Sequence, residues 1–280
     1  VPALVEIGGK DGARWSDLRK RVLSAAILAP AVLLCIWAGG TSYKIMLIAG
    51  AIGLASEWVA MCRASIFRMP GALAAFSIVA GTGVAAFAHV GAGLAIFAAG
   101  AASAVFLAGG APHRWALACG IPYVGAAAAA LLWLRGDAFV GLTDLLFVLL
   151  LVWASDIGAY ATGRLLGGPK LAPLISPGKT WSGAFGGLAA AIAAGLLVAF
   201  ASQEAMQPWR VAGIAAALGI VAQAGDLLES LIKRHFGVKD SGRLIPGHGG
   251  LFDRVDALLT AAPVAALLAL VAGRGVVLWQ

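Results

Sequence analysis

Nine apolar runs follow one another along this chain, at about 22–39, 43–61, 70–89, 91–110, 115–134, 139–164, 181–201, 209–232 and 254–273. Each is near the ~20 residues needed to cross a bilayer as a helix. Backbone amides placed in hydrocarbon must find partners within their own segment, so every run is expected to be helical. The alternating ten-residue pattern of a membrane barrel is absent. Only 12% of the 280 residues are charged, about half the usual share in a soluble domain. Many of the 38 glycines fall inside the apolar runs. There, small residues let helices approach closely, as at Gly183-x-x-x-Gly187. The expected fold is an all-α, polytopic integral membrane protein of about nine transmembrane helices.

Charge sets the expected topology. With nine spans, the N-terminus and the loops after spans two, four, six and eight share one side, which holds 16 of the 20 Lys and Arg residues. The other side keeps Lys44, Arg135, Arg210 and Arg274. Such asymmetry marks the basic side as cytoplasmic. Merging the third and fourth runs near Val90 and Gly91 would move the Arg19-Lys20-Arg21 triplet across the membrane from the loop near residue 240. Residues 1–21 read as a cytoplasmic lead to an uncleaved first helix, and Trp37, Trp58, Trp115, Trp133, Trp181 and Trp209 fall near span ends. The whole of 1–280 reads as one membrane domain, with 139–273 carrying the chemistry.

The net charge of +7 is spread between spans, which suits anionic lipid headgroups and argues against a nucleic-acid partner. Cys35, Cys62 and Cys119 have neither CxxC spacing nor a histidine at ligand distance in sequence, so neither zinc nor a disulfide framework is expected. His89 and His113 lie away from any acidic cluster and read as helix-packing or loop residues.

Polar chemistry concentrates in 226–256. Asp226, Glu229, Ser230 and Lys233 recur at i, i+3, i+4 and i+7 at the end of an apolar run, which places them on one helical face. A loop with Gly237, Gly242, Gly247, Gly249 and Gly250 follows, and then Asp253 and Asp256 head the next run. Two acid-bearing helix ends joined by a glycine-rich basic loop suit a divalent cation and phosphates. Carboxylates give Mg²⁺ its hard oxygen ligands, and glycines let backbone N–H groups approach phosphate. The alternative is a loop whose cations only set orientation and whose acids pair with them. It applies better to Lys239, Asp240 and Arg243 than to Asp226 and Glu229, since intramembrane acids are costly to keep.

A second constellation spans 156–181. Asp156, Tyr160 and Arg164 recur at i, i+4 and i+8 on the sixth run, ahead of Ser176-Pro177-Gly178-Lys179-Thr180-Trp181. Gly178-Lys179-Thr180 is not a Walker A loop, because that motif needs glycine where Pro173 stands. Lys179, Thr180 and the amides opening the seventh helix could bind phosphate, or could form a capped helix start with a snorkelling lysine. Glu57, beside Trp58, either pairs with Arg63 or lines the site. Arg135 and Asp137 read as interfacial residues of the opposite face.

Ser230-x-x-Lys233-Arg234, then Lys239-Asp240, then Pro246-x-His248-Gly249-Gly250-x-x-Asp253-Arg254-x-Asp256 resembles the signature of the phosphatidate cytidylyltransferase family. Asp156, Ala159 and Tyr160, with Ser176, Pro177, Lys179 and Thr180, resemble the same family's preceding region. Ser182 departs from it, since members often carry an acidic or amide side chain there. The resemblance covers about 130–262; earlier spans match only in hydropathy and glycine usage. It implies transfer of CMP from CTP to phosphatidic acid, with Mg²⁺ as cofactor, in a multi-pass protein of the inner (plasma) membrane whose site faces the cytoplasm.

On that footing Asp226 and Asp253 are the expected principal metal ligands, with Glu229 and Asp256 as nearby ligands or supports. Lys233, Arg234, Lys239 and Arg254 would neutralise triphosphate and lipid phosphate. His248 would donate to phosphate or cap backbone, Ser230 would be a ligand or a packing hydroxyl, and Asp156, Ser176, Lys179 and Thr180 join the substrate site. Membrane lipids are partners, and small-residue helix faces suit a homodimer. Two other classes stay open. A polyprenol- or dolichol-type lipid kinase would release CDP instead of pyrophosphate. An ion-coupled transporter would want polar residues strung across the membrane and an inverted repeat.

Overall fold

The computed structural model describes residue 24 and residues 26–107, 114–204, 207–245, 247 and 249–280. Among these the apolar runs form helices α1 (Ala26–Ala38), α2 (Gly40–Met61), α3 (Gly71–Phe87), α4 (Val90–Leu107) and α5 (Arg114–Arg135). Then come α6 (Gly141–Leu166), α7 (Trp181–Ser202), α8 (Pro208–His235) and α9 (Phe252–Ala272). Seven of them, α2 and α4 to α9, are long and apolar enough to cross a membrane, while α1 and α3 are shorter. The runs near 70–89 and 91–110 are two separate helices, turning at Ala88 and His89. Large apolar side chains such as Ile52, Phe76, Phe106, Phe185, Leu197 and Leu267 point outward, as lipid-facing residues do.

One element departs from the all-helical expectation. The stretch before α7 is a two-stranded antiparallel hairpin, β1 (Lys170–Ala172) and β2 (Ser176–Thr180), pairing Lys170 with Thr180 and Ala172 with Ser176. The Trp181 N–H donates to the Pro169 carbonyl at 3.1 Å and closes the base of the hairpin against the helix start.

The helices pack around three apolar cores. One gathers α2 to α5 and α9 about Trp58, Ile78, Phe97 and Phe252. A second gathers α6 to α9 about Phe147 and Leu218, and receives Val277, Leu278 and Trp279 from the chain beyond α9. A third lies about Tyr43, Leu131 and Leu145. Backbones approach closely between α6 and α7. A Cβ on Gly183 would stand 2.9 Å from the Ala159 carbonyl oxygen, and one on Gly187 would stand 2.8 Å from that of Ser155. The small-residue pair read from sequence is thus a helix–helix seam. Gly187→Val is expected to cost ~1–3 kcal/mol of stability through overpacking, seen as a lower thermal midpoint in detergent. An unchanged midpoint would show that the seam has room to spare.

At the end of the molecule carrying Arg135, that residue's guanidinium donates to the last carbonyls of α1, at 2.9 Å to Ile36 and 3.1 Å to Trp37. Asp137 accepts the amides of Phe139, Val140 and Gly275. These bonds, the Phe139 amide foremost, hold its carboxyl below the usual carboxylate range. Buried Asp144 accepts the Leu278 amide at 3.0 Å. Arg135 and Asp137 are therefore anchors for chain segments, a more specific role than interfacial charge.

Candidate active site

At the other end, α6, α7, α8 and the hairpin enclose a cleft of about 530 Å³. The i, i+4, i+8 stripe of α6 supplies Asp156, Tyr160 and Arg164; the hairpin supplies Lys179 and Thr180; α8 supplies Gln223 and Asp226. Lys179 Nζ and Asp226 Oδ2 form an ion pair at 2.5 Å across the cleft. Thr180 caps α7, its hydroxyl oxygen accepting the Gly183 N–H at 3.1 Å. The capped helix start expected as one alternative is therefore real, yet its neighbouring lysine reaches into the cleft as the other required.

Ser182, where the sequence departs from the family pattern, has a polar role after all. Its hydroxyl donates to the Gly167 carbonyl and lies 3.0 Å from the Thr180 hydroxyl, tying the end of α6 to the start of α7.

Behind the cleft, α8 and α9 make a second group. Lys233 Nζ lies 2.6 Å from Glu229 Oε2 and 2.7 Å from Asp253 Oδ1. Glu229 is fully buried, and its Oε1 has no hydrogen-bond partner among the described residues. Asp253 also accepts the Ser241 N–H, the Ser241 hydroxyl and the Gly250 N–H, each at 3.0 Å to Oδ2. Asp256 lies between the two groups, near enough to Asp226, Asp156 and Lys233 for the charges to interact.

The sequence placed Asp226 and Asp253 together on one ion. In the structure each is held by a different lysine, and among the described residues no three His, Cys, Asp or Glu side chains converge closely enough to hold a metal as arranged. Asp156 and Asp256 are close enough to Asp226 for their charges to interact.

Of the other expected site residues, Arg234 is exposed and donates to the carbonyls of Ile175 at 3.4 Å and Val238 at 3.2 Å, which draws the hairpin and the end of α8 together. Lys239 and Arg254 are exposed at the same end; Ser230 is half-buried on α8 and Ser176 half-buried in β2. His248 lies outside the described residues.

Sequence reasoning passed over Gln223, although it stands three residues before Asp226 in an apolar helix, a spacing that could have found it. Its amide donates to the Ala184 carbonyl at 3.1 Å. It also passed over Ser241, whose partners are distant in sequence and leave no local signal.

Fold and site define a multi-pass helical membrane protein whose polar cleft, walled by acids and cations, suits a phosphate-rich substrate. The chain belongs to the family described as the cytidylyltransferase family, whose sequence profile matches residues 19–272. It is similar to the phosphatidate cytidylyltransferase of Brucella suis biovar 1 (strain 1330), 42% identical over 250 residues, covering 88% of this chain and 91% of that one. A shorter match, 46% identical over 128 residues, is to the phosphatidate cytidylyltransferase of Staphylococcus epidermidis (strain ATCC 12228 / FDA PCI 1200), covering 46% of this chain and 49% of that one.

Proposed function

We propose that this protein transfers CMP from CTP to phosphatidate, giving CDP-diacylglycerol and pyrophosphate. Family membership supports the reading. The observation that carries it is the meeting of Asp156, Arg164, Lys179 and Asp226 in one cleft, drawn from α6, the hairpin and α8. A phosphate monoester, with its second pKa at ~6, is largely dianionic at neutral pH, so its oxygen attacks without a strong base. A bond forms from that oxygen to the α-phosphorus of CTP. The bond from this phosphorus to the oxygen bridging the β-phosphorus breaks, and pyrophosphate leaves with the electron pair.

The difficulty is an anion approaching an anion, so catalysis rests on positioning and on charge. Arg164, Lys179 and Thr180 line the cleft for the triphosphate. Arg234, Lys239 and Arg254 are assigned to the phosphates, as is His248 by its place in the sequence motif, and Ser176 and Ser230 to substrate contacts. The acyl chains stay in the bilayer.

The acids fit a divalent cation by donor type, and one or two carboxylates with the substrate's phosphates are enough for Mg²⁺. Asp156, Asp226 and Asp256 come from three helices and feel one another's charge, with Lys179 and Lys233 among their cationic neighbours. Asp226 and Asp256, with Asp156 across from them, would hold Mg²⁺, while Glu229 and Asp253 stay behind on Lys233. Bound there, Mg²⁺ supplies positive charge against the triphosphate and the departing pyrophosphate. The charge asymmetry of the chain supports nine crossings of the plasma membrane, with the N-terminus and the cleft on the cytoplasmic side, where nucleotides are.

Purified protein given labelled CTP, phosphatidate and Mg²⁺ is expected to yield CDP-diacylglycerol and pyrophosphate, and a Mg²⁺ chelator should suppress both. CDP together with a phosphorylated lipid alcohol would overturn the proposal in favour of a lipid kinase. Ion flux in liposomes that needs no CTP would overturn it in favour of a transporter.

A further inference from the structure

One buried acid has no part in the chemistry above. Glu57 belongs to α2, far from 226–256 in sequence, yet its side chain reaches the segment that carries Asp253. Oε1 accepts the Leu251 N–H at 2.9 Å, and Oε2 accepts the Phe252 N–H at 2.8 Å. These are amides at the start of α9, which otherwise lacks a side-chain cap from its own N-cap residue. The charge therefore meets the positive end of the helix dipole. Oε2 also stands 3.2 Å from the Ser241 hydroxyl, which lies 3.0 Å from Asp253 Oδ2. One hydroxyl proton is thus shared between two carboxylates.

The glycines of this loop make the approach feasible. A Cβ on Gly242 would come to 2.5 Å from Glu57 Oε1, and one on Gly250 would come to 2.9 Å from Oε2. Neighbouring Trp58 stacks near Phe252, with ring centroids 5.6 Å apart, and donates its indole N–H to the Ala116 carbonyl of α5 at 3.0 Å. Arg63, the partner the sequence suggested for Glu57, instead directs its guanidinium to the Phe236 carbonyl at 3.5 Å.

We infer that Glu57 is a positioning residue: by gripping the first amides of α9 and the Ser241 hydroxyl, it fixes the carboxylate of Asp253 and joins the first half of the chain to the site. Its effect on turnover rests on the proposed cytidylyl transfer, but its effect on the loop does not. Two measurements on the full chain in detergent therefore test it: amide hydrogen exchange followed by mass spectrometry, and steady-state kinetics with CTP and phosphatidate.

In Glu57→Gln, which replaces one acceptor oxygen by a donor, exchange across 241–253 is expected to rise about ten-fold or more while the hairpin and α7 keep their protection. Asp253 holds Lys233, whose charge reaches Asp256, so turnover should fall about ten-fold or more, with the KM for CTP changed less than about two-fold because the nucleotide cleft is left intact. Ser241→Ala should move both readouts in the same direction by less.

Unchanged exchange over 241–253, a rise spread evenly over the molecule, or a change in KM alone would overturn the inference. If Glu57→Gln does not fold, Ser241→Ala decides it: a local rise in exchange supports the inference and none overturns it. Wild-type protein without turnover would overturn the cytidylyl-transfer reading, and the exchange comparison would still decide the role of Glu57.

Discussion

Asp226→Ala is expected to lower CDP-diacylglycerol formation by about 10³-fold or more, the scale seen when a group aligned with developing charge is removed. The protein should remain folded. Asp226 lines the cleft and is tied to Lys179, their side chains being 30% and 27% exposed respectively. A pair so open to solvent is worth only ~0–1 kcal/mol, so the thermal midpoint should scarcely move. Asp226→Asn keeps the shape and removes the charge, and should be nearly as inactive. Near-normal turnover by either variant would remove Asp226 from the site, whatever the surrounding motif resembles.

Lys233→Met is expected to fail in a different way. Its ammonium lies within 2.7 Å of carboxylates on both α8 and α9, and one of them, Glu229, is wholly buried. Removing the shared cation leaves Asp253 and Glu229 facing each other uncompensated, a change that costs ~3–5 kcal/mol in buried pairs. Both the thermal midpoint in detergent and turnover should therefore drop. Adding Glu229→Gln to Lys233→Met removes one of the stranded charges and should recover part of the midpoint but not the turnover. Absence of any recovery would mean that Glu229 is not the source of the penalty.

The helices were legible because the bilayer imposes a length on them. The run read at 43–61 is Gly40–Met61, and that read at 254–273 is Phe252–Ala272. Where charge enters a helix, hydropathy stopped short: α6 runs on to Leu166 past Arg164, and α8 to His235 past Lys233. The hairpin was not legible. Its strands are three and five residues long and carry Pro173 between them and Pro177 within β2, so no alternating pattern could show.

The candidate site divides along the same line. Asp156, Tyr160 and Arg164 could be placed together because one helix fixes their spacing, as could Glu229 and Lys233, whereas Asp226 on the same helix turns instead to the cleft and Lys179. The cleft that brings Lys179 to Asp226 depends on how the hairpin folds onto α8, and the hold of Glu57 on Leu251 depends on two segments 194 residues apart. Neither leaves a periodic trace.

Lys179 is already spoken for. On the proposed function, an arriving triphosphate would draw that lysine's charge away from Asp226, and the carboxylate would then be left to take a cation in its place. Each arrival thus prepares the ground for the other. By thermodynamic reciprocity, nucleotide and ion should each strengthen the other's hold by the same factor.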